Sequence, residues 1–148
     1  MSSEPGPIAR ECVEGYLFAP DPVEVLLFRR PPSRGGIWVP VSGKVEPDDA
    51  DLEAALRREL REETGLEDPR RLFALDWHVP FRADSGETWR LHAYGVEVSR
   101  SFVPRLSPEH DLAAWVRPSE ATRRLHYEDN REAVRRLLAR VGPPSPKV

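Results

Sequence analysis

Long apolar runs are missing from this sequence of 148 residues. Spanning a bilayer takes about 20 mostly apolar residues in a row, and no stretch offers them. The opening MSSEPGPIAR has no apolar core, so it does not read as a secretory leader. Cysteine is nearly absent: Cys12 stands alone. An intramolecular disulfide is therefore excluded, and a reducing compartment fits. The expectation is a cytoplasmic protein that does not engage a membrane. Lysine is scarce too, with only Lys44 and Lys147 beside many arginines; no function is read from that bias. Positive charge is not in surplus, since the net charge is −3. No global basic field draws the chain to nucleic acid. Internal repeats and a second domain are also lacking.

What is present suits one soluble domain. Hydrophobic residues make up 39% and charged residues 32%, an ordinary globular balance with enough chain for a core. The expected domain spans residues 8–141, with flexible tails at 1–7 and 142–148. Residues 10–18 read as a strand. Residues 23–30 (VEVLLFRR) read as a buried strand after the Pro20-Asp21-Pro22 turn. Residues 37–42 are extended, and Pro40 keeps that strand short, at an edge or bulged. Residues 72–81 and 88–98 form two strands around a hairpin loop at Asp84-Ser85-Gly86. Residues 113–117 form a short strand, and 119–124 a helical turn. A last helix runs to Val141 with Val134, Leu137, Leu138 and Val141 on one face, capped by Asp129 or Asn130. Strands then helix, twice over, predict an α/β fold: a mixed sheet covered by helices on both faces.

The helix expected over 52–64 carries the chemistry. At about 100° per residue, Leu52, Ala55, Leu56 and Leu60 share one face. Asp51 can cap its start, and Gly65 suits a left-handed stop. Glu59 and Glu63 fall inside the apolar stripe, and Glu62 lies along its edge. Their i, i+3, i+4 spacing lets the side chains converge. Carboxylates beside a buried face repel each other and resist desolvation. Clustered glutamates ordinarily form a solvated face, but Arg57, Arg58 and Arg61 already occupy the opposite side. A bound cation is the simplest compensation, and oxygen ligands suit Mg²⁺ or Mn²⁺.

The segment Arg58-Glu59-Leu60-Arg61-Glu62-Glu63-Thr64-Gly65-Leu66 resembles the second half of the Nudix box, G-x5-E-x7-R-E-U-x-E-E-x-G-U with U aliphatic. Gly43 matches the opening glycine. Two departures stand out. Arg58 follows Gly43 by fifteen residues where the pattern has fourteen, and the first glutamate of the box is missing. The loop is one residue longer, with Asp48, Asp49 or Asp51 standing in. The resemblance implies an α/β/α sandwich. It also implies metal binding by Glu59, Glu62 and Glu63, ligation through the Gly43 carbonyl, and Arg58 orienting the carboxylates. A further carboxylate lies downstream in the family. Glu109 is the candidate here and Glu97 the fallback, though solvated positions account for both equally well. His110 reads most simply as a surface histidine, with a base or a stacking group as the alternatives. Which carboxylate takes the proton of the attacking water varies within the family; Glu59 and Glu109 are the first to test.

Arg29 and Arg30 end a strand ahead of the glycine loop. They can meet substrate phosphates, or simply stand exposed. With Trp38 and Lys44 they complete the substrate-binding candidates. Trp38, Trp77, Trp89 and Tyr94 can stack on a base or pterin ring, or build core. Trp38 with Val41-Ser42-Gly43, Glu109-His110 with Trp115, and Asn130-Arg131-Glu132-Ala133 resemble the Nudix branch acting on dihydroneopterin triphosphate and dATP. That resemblance implies a nucleotide or pterin triphosphate cut to a monophosphate and pyrophosphate, and many relatives form homodimers. A non-catalytic nucleotide-binding module is the alternative that the intact glutamates argue against. An RNA 5′-end hydrolase is the one that net charge disfavours.

Overall fold

Strand β1 (Ile8–Ala19) is the spine of a mixed sheet in this computed structural model, which describes residues 6–142. Residues 1–5 and 143–148, where most of the two expected tails fall, lie outside the described residues. On one side β1 runs parallel to β6 (Thr88–Glu97). On the other it pairs antiparallel with two partners in turn. Its first half meets β4 (Val41–Lys44), with Val13 opposite Gly43, and its end meets β2 (Glu24–Arg29), with Leu17 opposite Leu26. Beyond β2 lie β3 (Trp38–Val39) and β7 (Leu112–Val116); beyond β6 lies β5 (Arg71–Arg82).

Residues 37–42 are thus not one strand. Pro40 has no N–H for a ladder, and the chain breaks there. β3 goes to β2, and β4 crosses to β1.

Helix α1 (Leu52–Thr64) covers one face of the sheet. Ala55, Leu56 and Leu60 pack on Val13, Leu17, Leu26, Phe28, Val41 and Val96. Helices α2 (Pro118–Arg124) and α3 (Glu128–Val141) cover the other, with Ala121, Val134 and Leu137 against Tyr16, Phe18, Val25 and Leu27. Alternate residues of β1 serve opposite layers. The α/β/α sandwich is therefore the fold.

Both stops of α1 are as the sequence predicts. The Asp51 side chain accepts from the Ala54 N–H at 2.7 Å. Gly65 takes the left-handed conformation at φ 76° and donates to the Arg61 carbonyl. The start of α3 differs. Tyr127 occupies the cap position with no side-chain cap bond, and Asp129 sits in the first turn. Asn130 is buried, its amide directed at Tyr16 and Glu14 of β1. Tertiary hydrogen bonding claims the side chain that a local cap would have used. Among the described residues no helix is long and apolar enough to cross a membrane.

Leu60 is fully buried between α1 and the sheet. Leu60→Ala is expected to lower the unfolding free energy by about 2–5 kcal/mol, read as a fall in the urea midpoint at unchanged slope.

Candidate active site

Docking α1 on β1 and β4 turns Glu59 and Glu63 toward the protein, where they are 8% and 9% exposed. Glu62, off the stripe, stays at the rim with its side chain 55% exposed. Glu59 sits directly on the Gly43 backbone. A Cβ built at Gly43 would overlap the Glu59 carboxyl carbon and both its oxygens, so only glycine leaves room there.

Burial pushes the Glu59 pKa up to about 7; Arg58 opposes this, and repulsion from Glu62 and Glu63 adds to it. Burial likewise raises Glu63, with the Ser107 hydrogen bond opposing and Glu109 reinforcing. Two half-desolvated carboxylates on one face want positive charge.

Arg58 supplies some of it. One terminal nitrogen, Nη1, donates to Glu59 at 2.9 Å and to Glu62 at 3.1 Å. The other, Nη2, donates to the Lys44 carbonyl at 2.9 Å. Nε and Nη2 together form a fork on Asp49 at 3.0 and 2.9 Å. Asp49 also accepts from the Glu46 N–H at 2.7 Å. Of the three aspartates in the lengthened loop, Asp49 is the one that meets Arg58, and Asp51 is the helix cap.

The downstream segment meets Glu63. Ser107 Oγ donates to Glu63 Oε2 at 2.8 Å and accepts the Glu109 N–H at 3.2 Å. Glu109 is near enough to raise the Glu63 pKa, yet its own carboxylate pairs with Arg34 at 2.9 Å and stays exposed. His110 is not a surface histidine. It is buried against the Phe28 ring, and Nδ1 lies 3.5 Å from Glu63 Oε2 with no hydrogen bond. Desolvation lowers its pKa to about 4. Glu97 lies apart, paired with Arg71 at 3.2 Å.

A cleft of about 830 Å³ opens beside β4. Arg30, Arg34, Lys44 and Arg82 line it, with Val39, Pro40, Val79, Leu91 and Trp89. Lys44 lies 5.0 Å over the Trp89 ring. Arg29 and Trp38 are not in this lining. Arg29 forks onto Asp111 at 3.0 and 2.9 Å, and Trp38 packs on the core with Arg124 5.3 Å over its ring. Of the other aromatics, Trp77 lies under Arg136 and Tyr94 packs beside the α1 core. Glu14 and Asn130 form part of the cleft floor. Burial raises the Glu14 pKa to about 8. Sequence reasoning missed Glu14, Ser107 and the burial of His110. An acidic residue in the middle of a buried strand was the available signal for Glu14.

The donor set suits a hard divalent cation in kind: carboxylate oxygens, two of them desolvated, around a glycine that no side chain shields. Among the described residues no three His, Cys, Asp or Glu side chains stand as a ready ligand set; Arg58 ties Glu59 to Glu62 instead.

Residues 12–137 match the model of the NUDIX domain. The chain is 38% identical over 118 residues to an octanoyltransferase from Myxococcus xanthus, covering 78% of this chain but only 32% of that protein, about a third of its length. It is 35% identical over 100 residues to the CTP pyrophosphohydrolase of Escherichia coli (strain K12), covering 66% of this chain and 70% of the relative. In fold it is similar to a Caenorhabditis elegans Ap4A hydrolase (TM-score 0.75, 21% identity, 90% of this chain and 98% of that one). It is also similar to the E. coli dihydroneopterin triphosphate pyrophosphohydrolase (TM-score 0.74, 18% identity, 90% and 99%).

Gly43→Ala is expected to drive Glu59 off its seat. Mn²⁺ affinity, read by calorimetry, should fall by about tenfold or more while the circular dichroism spectrum is kept. Glu14 predicts a pH dependence of stability. Between about 4.5 and about 8 the folded chain holds a proton that the unfolded chain has released. This contribution is full below that window, declines through it as pH rises, and levels off above it. Urea midpoints of the native chain should lose ground to Glu14→Gln over that window.

Proposed function

This chain belongs to the NUDIX family, and from that premise we propose that it is a pyrophosphohydrolase of nucleoside-triphosphate-like substrates. One observation carries the reading: Glu59 is seated on Gly43 and fixed by Arg58, beside a cleft lined with basic side chains. A solvated acidic helix has no need of such a seat. The name of the E. coli relative, a CTP pyrophosphohydrolase, supports a triphosphate substrate.

The reaction is attack of water on phosphorus with pyrophosphate leaving in line. Glu59, Glu62, Glu63 and the Gly43 carbonyl would hold Mg²⁺ or Mn²⁺, which neutralises phosphate oxygens and acidifies water. Arg58 keeps the Glu59 and Glu62 carboxylates in place and is held in turn by Asp49. Ser107 fixes Glu63. Arg30 and Lys44 meet the phosphates from the cleft wall. Arg29, through Asp111, ties the turn bearing Ser107 and Glu109 to β2. Glu59 and Glu109 are the carboxylates to test as acceptor of the proton of the attacking water.

A panel of nucleoside triphosphates, dihydroneopterin triphosphate, dinucleoside polyphosphates and nucleotide sugars, assayed with and without Mg²⁺ or Mn²⁺, tests this. Metal-dependent pyrophosphate release from a triphosphate is expected; no turnover on any member would overturn it. Glu62→Gln and Glu63→Gln should each lower turnover by about 10²-fold or more, as loss of a central electrostatic group does. Neither should unfold the chain, since each relieves carboxylate repulsion.

A further inference from the structure

The cleft has a floor that phosphate chemistry does not use. Glu14 of β1 and Asn130 of α3 line it, with Tyr16 of β1 hydrogen-bonded behind them, and each is more than nine-tenths buried. Val39, Pro40, Val79 and Leu91 supply apolar lining around Glu14 and Asn130. Apolar walls around a few buried polar groups suit a flat ring whose edge must be read.

The hydrogen bonds on this floor run in one direction. Asn130 Nδ2 donates to Tyr16 Oη at 3.0 Å, and the Tyr16 hydroxyl donates to Glu14 Oε1 at 2.6 Å. With the tyrosine proton directed at Glu14, the amide presents its donor side to Tyr16. Asn130 Oδ1 is left buried with no partner. Native chains rarely leave such an acceptor unused. At Glu14, Oε1 is taken, and only a long 3.4 Å contact from Asn130 reaches Oε2. Desolvation keeps this carboxyl largely protonated at neutral pH, so Oε2 carries a hydrogen to donate. Asn130 Oδ1 is thus a free acceptor and the Glu14 carboxyl a donor, on two residues that both line the cleft.

We propose that Glu14 and Asn130 read the ring edge of the substrate, selecting an amino group beside an unprotonated ring nitrogen, as in cytosine and adenine, over a keto group beside a ring N–H, as in uracil and hypoxanthine. The amino group donates to Asn130 Oδ1, and the ring nitrogen accepts from the Glu14 carboxyl. A keto edge sets acceptor against acceptor and donor against donor, leaving buried polar groups unpaired. The inference rests on the cleft being the site of a nucleoside triphosphate.

The native chain supplies the first test. kcat/KM for CTP should exceed that for UTP, and ATP should exceed ITP, by about tenfold or more, mainly through KM. Glu14→Gln places an amide N–H where the acid proton was and keeps an oxygen for Tyr16, so the preference survives. Glu14→Leu removes the donor, and each ratio should fall toward one. Calorimetric titration of the native chain with CMP against UMP, and AMP against IMP, without metal, reads the same preference independently of catalysis and of whether the leucine variant folds. Hydrolysis with equal kcat/KM and equal binding within each pair overturns the ring-edge reading and leaves the pyrophosphohydrolase standing. Selective binding with no hydrolysis of any triphosphate overturns the pyrophosphohydrolase and supports the ring-edge reading. Loss of the preference in Glu14→Gln also overturns it.

Discussion

Burial of the Glu59 carboxyl against the backbone of Gly43 is the contact on which the site depends. It sets how closely α1 approaches β4, because any side chain at position 43 would hold the two apart. It also creates an electrostatic debt. A carboxylate taken from water beside two others is disfavoured as an ion, and its raised proton affinity records that. Arg58 relieves part of the repulsion from the rim. Asp49, the Lys44 carbonyl and Glu46 in turn hold Arg58 and lock the loop between β4 and α1 around it. The loop is ordered by the charge it serves.

The second half of the arrangement comes from β1. Its residues alternate between two cores, so one strand anchors α1 through Val13 and Leu17 and α3 through Tyr16 and Phe18. The acidic helix and the cleft floor are therefore fixed to a common rigid element from opposite faces of the sheet. A side chain placed among apolar neighbours for packing would serve neither task. Glu14 breaks the apolar pattern of β1, and its hydrogen-bonded partners Tyr16 and Asn130 make the breach tolerable. Departures from local rules concentrate at functional sites, and this one lines the cleft.

Legibility in the sequence followed the range of the interactions. The limits of α1, its Asp51 cap, its Gly65 stop and its inward glutamates are all set within one or two turns, and periodicity reveals them. The hairpin at Asp84-Ser85-Gly86 is equally local. The break at Pro40 was visible as a missing N–H, but the choice of partners on either side of it was not. Asn130 was misread as a cap because residues more than a hundred positions away in β1 compete for its amide. His110 was misread as exposed because its burial depends on Phe28 and Glu63, both remote in sequence.

The sequence by itself determined the helix, the inward turn of Glu59 and Glu63 and the layered class of the fold. All of these follow from the periods of the backbone and the shape of single residues. Tertiary structure alone decided which aspartate meets Arg58, which serine holds Glu63, and which basic groups face the cleft rather than an acidic neighbour. Those outcomes turn on distances between segments far apart in the chain. A hydrogen bond or a desolvation cost changes with every ångström of such a distance, and no local pattern encodes it.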